Sequence, residues 1–364
     1  MRRVVLRMLP AVAVVAFATA ASAEDKVVNV YNWSDYIGDT VAADFTKATG
    51  IKVVYDVYDA METLEAKLYA GASGYDVVVP TDRNMQRMIQ AGILQKLDKT
   101  KLPNDVHQWK LTADRLAEYD PGNQYAENYM WGTTGLGYNV DKIKKIMPDA
   151  PLNSWAMIFD PKIVAKFKDC GIDVLDSPDD LIPAALTYLG IDPNSKKEAD
   201  LQKAGDLLTS IRPFVQKFNS SEYINDLANG DICLAVGYSG DVLQARGRAT
   251  DAKNGVTIAY SIPKEGALMW LDAMVIPKDA PHPAEALAFI NYMMDPKVAA
   301  ANSNFVEYAN GNKDSQPLLD PAVAGDAEIY PPQDVMDKLF TTTTNDQKTQ
   351  RLVTRIWTKV KTGH

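Results

Sequence analysis

Residues 27–80, VVNVYNWSDYIGDTVAADFTKATGIKVVYDVYDAMETLEAKLYAGASGYDVVVP, decide the fold. Three runs rich in Val and Tyr read as strands: VVNVYNW (27–33), IKVVYDVY (51–58) and YDVVVP (75–80). Between them lie two helical stretches, TVAADFTKATG (40–50), stopped by Gly50, and METLEAKLYAGASG (61–74), closing on glycines. Two right-handed crossovers of this length predict a parallel sheet with helices on its faces. Such sheets gather ligands beyond the carboxyl ends of their strands. Trp33-Ser34-Asp35-Tyr36 follows the first strand and Thr81-Asp82-Arg83 the third, so both loops are expected on one rim.

Past MWGTTGLGYNVDKI (130–143) the pattern turns to longer helices around a β-rich piece at 232–237, flanked by LANGD and YSGDVLQA. This is expected to be the core of a second lobe. GVTIAYSIPKEGALMWLDAMVIP (255–277) reads as a return to the first lobe, and HPAEALAFINYMMDPKVAAANS (282–303) as a helix beginning near a proline. The expected division is 24–131 plus 259–303 in one lobe and 132–258 plus 304–364 in the other. Repeated crossing makes a hinge over a cleft.

Arg2, Arg3 and Arg7 precede an apolar stretch that ends in Ala21-Ser22-Ala23, the pattern of a cleavable signal peptide over 1–23. The stretch is shorter than the roughly 20 apolar residues of a spanning helix. Export to the periplasm is expected. Cleavage removes three Arg and no acid, so the formal charge moves from −9 to −12. That balance argues against nucleic acid or anionic lipid as a partner and suits the collection of cations. In an exported chain the two cysteines, Cys170 and Cys233, favour a disulfide over a metal site, with two separate buried thiols as the alternative.

Enzyme motifs fail one by one. His107, His282 and His364 stand in no HExxH, and no Cys/His cluster has metal spacing. GYSGD (237–241) has Asp241 where a nucleophile elbow needs glycine. Ser261-Ile-Pro-Lys264 carries a proline against the helix an SxxK motif requires, and Lys361-Thr-Gly363 lies at the chain end. Gly132, Gly135 and Gly137 form no GxGxxG, and there is no Walker A sequence, so any ATP would be hydrolysed by another subunit. No cofactor or metal is expected.

What remains are aromatics paired with acids: Trp33 with Asp35 and Tyr36, Tyr238 with Asp241, Trp270 with Asp272. An ammonium needs charged acceptors and a polymethylene chain needs apolar walls, so the mixture suits a diamine. Singly, each pair reads more readily as a core aromatic beside a surface acid; only their joint placement at predicted strand ends raises the functional reading.

YNWSDYI (31–37), TGIKVVYDVYD (49–59), SSEYINDLANGDIC (220–233) and SIPKEGA (261–267) closely resemble the periplasmic polyamine-binding proteins, above all the putrescine-binding type, and the likeness runs through nearly the whole mature chain. The resemblance implies a type II periplasmic-binding fold of two α/β lobes that close on the ligand, and a disulfide between Cys170 and Cys233. It implies delivery of a polyamine to the inner-membrane permease of an ABC importer; the protein itself is expected to be a monomer and, with no later segment of transmembrane length, not to enter the membrane. Carried across, the ligand cage falls on Trp33, Ser34, Asp35, Tyr36, Asp180 in LDSPDDL, Tyr238, Asp241, Trp270, Asp272 and Tyr308, with Thr81 and Arg83 lining the same pocket. Relatives of the putrescine type tend to have Ser at Thr81 and Arg83, Trp at Tyr238 and Phe at Trp270, and Trp at the last position suits spermidine, so both amines are carried forward. Two alternatives stand beside this reading: a receptor for an ω-amino acid such as 4-aminobutyrate, with Arg83 on its carboxylate, and a polyamine sensor module. Arg83 has three possible destinations: the pocket, solvent or Asp82.

Overall fold

The computed structural model describes residues 26–363, so the signal peptide read at 1–23 and His364 lie outside the described residues. The opening stretch forms β1 (Val27–Trp33), α1 (Val41–Thr49), β2 (Lys52–Tyr58), α2 (Met61–Tyr69) and β3 (Val77–Val78). Both β2 and β3 run parallel to β1, as the crossovers require. Gly50 ends α1 in the left-handed conformation, φ 74°, with its N–H on the Thr46 carbonyl, a position where a side chain would be strained.

Alternation along β1 builds two cores. Val28 and Val30 face a layer with Phe45 of α1 and Phe289 and Ile290, while Tyr31 faces the other side with Leu64 and Leu68 of α2 and Met85 and Met88 of α3 (Asp82–Gln90). A sheet covered on both faces is the expected architecture.

After a short strand, β4 (Leu94–Gln95), β5 (Ala126–Asn139) runs 14 residues, all buried. Its first part pairs antiparallel with β10 (Met269–Pro277) and its second part with β8 (Leu234–Tyr238) and β9 (Ile258–Ser261). With β6 (Ile172–Val174) and β7 (Lys217–Phe218) the order is β2-β1-β3-β10-β5-β8-β6-β7. One strand is therefore shared by two sheets, one in each lobe of a type II periplasmic-binding fold. β11 (Ala309–Asn310) returns to pair with Trp131 and Met130 in the first part of β5.

Cys170 and Cys233 are bonded, with Cα atoms 5.6 Å apart, tying the approach to β6 to the start of β8. The helix expected over 282–303 is two helices, Pro283–Met293 and Pro296–Val306. Asp295 caps the second by accepting from the Lys297 N–H, and Pro296 sits at its first position, where no N–H is needed.

Candidate ligand-binding site

Helix N-termini deliver most of the acids. Thr81 and Asp82 open α3 just beyond β3, Asp179 and Asp180 lie in the first turn of the Pro178–Tyr188 helix, and Asp241 lies in the first turn of the Ser239–Ala252 helix that follows β8. A helix N-terminus favours negative charge. Thr81 occupies the cap position of α3, yet its hydroxyl does not cap; it donates instead to Asp272 Oδ1 at 2.7 Å. Asp272 itself lies inside β10, not at a strand end as the sequence suggested, at a register shift between Asp272 and Ala273. Bulges of this kind re-aim side chains.

These groups form one contact network. The Trp270 ring meets Tyr238 edge-on at 5.6 Å and Tyr308 at 5.4 Å, and Tyr308 meets Tyr36 at 5.1 Å. Tyr308 donates to Asp241 Oδ1 at 2.6 Å and Tyr223 to Asp241 Oδ2 at 2.8 Å. Asp180 accepts from Thr134 at 2.7 Å, Ser177 at 2.6 Å and Tyr238 at 3.5 Å. The indole N–H groups of Trp33 and Trp270 are buried without a hydrogen-bond partner within the protein, and the buried Tyr36 hydroxyl faces Asp272. Two glycines let the rings approach: a Cβ on Gly132 would lie 2.6 Å from the Trp270 indole, and one on Gly240 would lie 2.4 Å from the Tyr308 ring.

Burial dominates the electrostatics. It raises Asp272 to about 7, against the Thr81 and Tyr36 hydroxyls, and Asp241 to about 6, against the Tyr308 and Tyr223 hydroxyls. Asp82 is raised to about 6 by the same cause; its oxygens accept the backbone N–H groups of Arg83 and Leu271. Carboxyls held this high favour a cation that would share their burial.

The first motif divides. Trp33 is half-buried against Tyr58, 4.7 Å between rings, and Tyr36 is buried, whereas Ser34 and Asp35 sit on the exposed rim. Ser34 hydrogen-bonds the Tyr58 carbonyl. Asp35, at φ 54°, directs its carboxylate to Arg248 at 3.3 Å, an ion pair to the Ser239–Ala252 helix. Arg83 goes neither to solvent nor to the Asp82 carboxylate. Its side chain is buried; Nε donates to Asp179 at 3.2 Å, Nη1 to Thr342 at 3.1 Å, and Nη2 lies 3.8 Å from Asp180. Burial opposes its charge, but Asp179, Asp180 and Asp82 outweigh burial and raise its pKa.

Sequence reading missed Asp82, Asp179, Tyr223, Thr134, Thr342 and Arg248. Asp82 and Asp179 adjoin chosen residues, and Tyr223 stands inside SSEYINDLANGDIC. Thr342, in a run of four threonines, gave no signal.

The profile of the bacterial extracellular solute-binding proteins matches residues 40–331. The putrescine-binding periplasmic protein SpuD of Pseudomonas aeruginosa is 52% identical over 345 residues, 94% of both chains. The putrescine-binding periplasmic protein PotF of Escherichia coli is 50% identical over 348 residues, 94% of this chain and 93% of PotF. The solved spermidine/putrescine ABC transporter substrate-binding protein PotD of Streptococcus pneumoniae superposes with a TM-score of 0.77 at 27% identity, covering 93% of this chain and 99% of its own. Matched in sequence over nearly its whole length and in fold alike, the chain belongs to the bacterial extracellular solute-binding proteins, on the branch that holds the periplasmic polyamine-binding proteins SpuD and PotF.

Proposed function

We propose that this protein captures a polyamine, putrescine or spermidine, in the periplasm and delivers it to the permease of an ABC importer. The observation that carries the reading is the buried pair Asp241 and Asp272, held high in pKa and separated by the rings of Tyr308, Tyr36 and Trp270. Each acid accepts an ammonium in a charge-assisted hydrogen bond, and the rings cover the methylene chain and stabilise the cations by about 0.5–2 kcal/mol each. Trp33 and Tyr238 complete the walls, Thr81 fixes the Asp272 rotamer, and Ser34 and Asp35 act at the mouth, where Asp35–Arg248 joins the closed lobes.

The role is binding, not catalysis. Ser239, the hydroxyl in GYSGD, is engaged by the Thr133 N–H at 3.3 Å. The named relatives, SpuD and PotF, are binding proteins, which supports the same reading here. Export would use the signal peptide at 1–23, and the working unit would be a monomer. Among the described residues no helix is long and apolar enough to cross a membrane. We place the lobe borders where β5 changes partners, near Thr133/Thr134, and after β9 and β11, which shifts the borders expected at 258/259 and 303/304 by a few residues.

Calorimetric titration with putrescine, spermidine and 4-aminobutyrate tests the proposal. One polyamine per chain should bind, and 4-aminobutyrate should not, because Arg83 is already occupied by acids. Absence of binding by both polyamines would overturn the reading.

A further inference from the structure

Tyr223, the first residue of the Tyr223–Asn229 helix, is fully buried and meets the cleft acids through its hydroxyl. The oxygen accepts the Tyr238 N–H at 3.0 Å, and its single proton goes to Asp241 Oδ2 at 2.8 Å. One hydroxyl thus spans the turn from β8 into the Ser239–Ala252 helix, holding the backbone of one cage residue and the carboxylate of another. Tyr308 serves the other oxygen in the same way: it accepts the Asp241 N–H at 3.1 Å and donates to Oδ1 at 2.6 Å. Gly237 makes room for the arrangement, since a Cβ there would lie 2.4 Å from the Tyr223 ring. Burial and the charge of Asp241 keep the Tyr223 phenol well above its ordinary pKa, so it stays a donor across the range in which Asp241 titrates.

We infer that Tyr223 is a positioning residue for amine capture, aiming the Asp241 carboxylate at the ligand and keeping it charged. The inference rests on the polyamine reading and deepens it. Asp241 is faced by Tyr308, Tyr223, Tyr36 and Tyr238, with the charges of Asp35 and Arg248 also acting on it. Arg248 is itself held by Asp35 at 3.3 Å. Against burial, therefore, the Tyr308 and Tyr223 hydroxyls are the largest influences that keep Asp241 ionised. A hydrogen bond to the charged form of a carboxyl favours that form. Each hydroxyl takes one lone pair and leaves its oxygen another for a ligand ammonium. Without the Tyr223 proton the Asp241 carboxyl would hold its own proton to higher pH, and a neutral acid offers an ammonium no charge. Tyr308 does not substitute, because its proton is engaged at Oδ1.

Two substitutions test this. Tyr223→Phe removes one oxygen and keeps the ring, whereas Tyr223→3-fluorotyrosine keeps the hydroxyl in nearly the same volume and makes it a stronger donor. Carbon-13 NMR of the ligand-free protein follows the Asp241 carboxyl. Its titration should move to higher pH in Tyr223→Phe and to lower pH in the fluorinated variant. Putrescine titration across the pH range gives the second readout. A carboxyl that titrates one pH unit higher is about tenfold less ionised in acid, so Tyr223→Phe should weaken binding about tenfold at about pH 5 and at most about twofold at about pH 8. A loss of equal size at both pH values, or an unmoved Asp241 titration in a folded variant, marks an ordinary structural contact; either overturns the inference and leaves the polyamine reading standing. If Tyr223→Phe does not melt cooperatively, the fluorinated variant decides alone. A parent that binds no putrescine removes the polyamine reading and this role with it.

Discussion

Burial penalises the charge of Asp272 and Asp241 and raises them to about 7 and about 6, while in the unfolded chain they would ionise near 3.8. Between about pH 4 and 7 the folded, ligand-free protein therefore holds protons that the unfolded chain has released. This contribution to stability is present at low pH and is lost as pH rises through the folded values. A bound diamine reverses the preference, since its ammonium groups need both carboxylates ionised. The melting-temperature increase produced by putrescine should accordingly be larger at about pH 8 than at about pH 5, read by scanning calorimetry; an increase independent of pH would count against these acids as the ligand's partners. Asp272→Asn keeps the shape and the Thr81 contact, and should lower putrescine affinity at least about tenfold, ~1.4 kcal/mol, and flatten that pH dependence. Unchanged affinity would exclude Asp272 from the site. Acids with aromatic neighbours were legible in the sequence because they stand two or three residues apart. The destination of Arg83 was not, since Asp179 and Thr342 lie 96 and 259 positions away.

At the scale of elements, the site depends on close approach between strands, helices and rings. Gly240, in the first turn of the Ser239–Ala252 helix, provides the seat of Tyr308, and that ring orients Asp241 and faces both Tyr36 and Trp270. Gly240→Ala would put a methyl group 2.4 Å from the ring. Overpacking of this kind typically costs about 1–3 kcal/mol. The variant should keep its circular dichroism spectrum, melt at a lower temperature and bind putrescine at least about tenfold more weakly; parent-like affinity would show that the Tyr308 position is not needed. The β-rich runs of residues 27–80 and the Gly50 stop were legible because alternation and left-handed glycine are local properties. The length of β5 was not, for Gly132, Gly135 and Gly137 weaken a strand signal, and their reason lies in Trp270, Tyr260 and Val242 on other elements. The break at Pro296 was visible as a residue but not as a boundary, because the apolar pattern continues across it.

For the molecule as a whole, and on the lobe division proposed above, Arg83–Asp179 and Asp35–Arg248 join one lobe to the other. A ligand that binds only the closed form draws the population to it and stabilises it by mass action. Putrescine should reduce the radius of gyration in small-angle scattering and raise the melting temperature; if neither changes, closure on the ligand is wrong. Two lobes and repeated crossing were legible in the sequence from the change of pattern, but the pairing of β9 and β11 with separate parts of β5 was not, because their sequence neighbourhood does not reveal it. The shared strand also bears on inheritance. With β5 built into both sheets and the chain returning more than once, neither lobe is a contiguous stretch of coding sequence. A single recombination event between two related genes would splice part of one lobe to a mismatched remainder, dividing the acids of one cleft between two ancestries. Wholesale exchange of a lobe would need several coordinated junctions, whereas a point substitution in the cleft needs none.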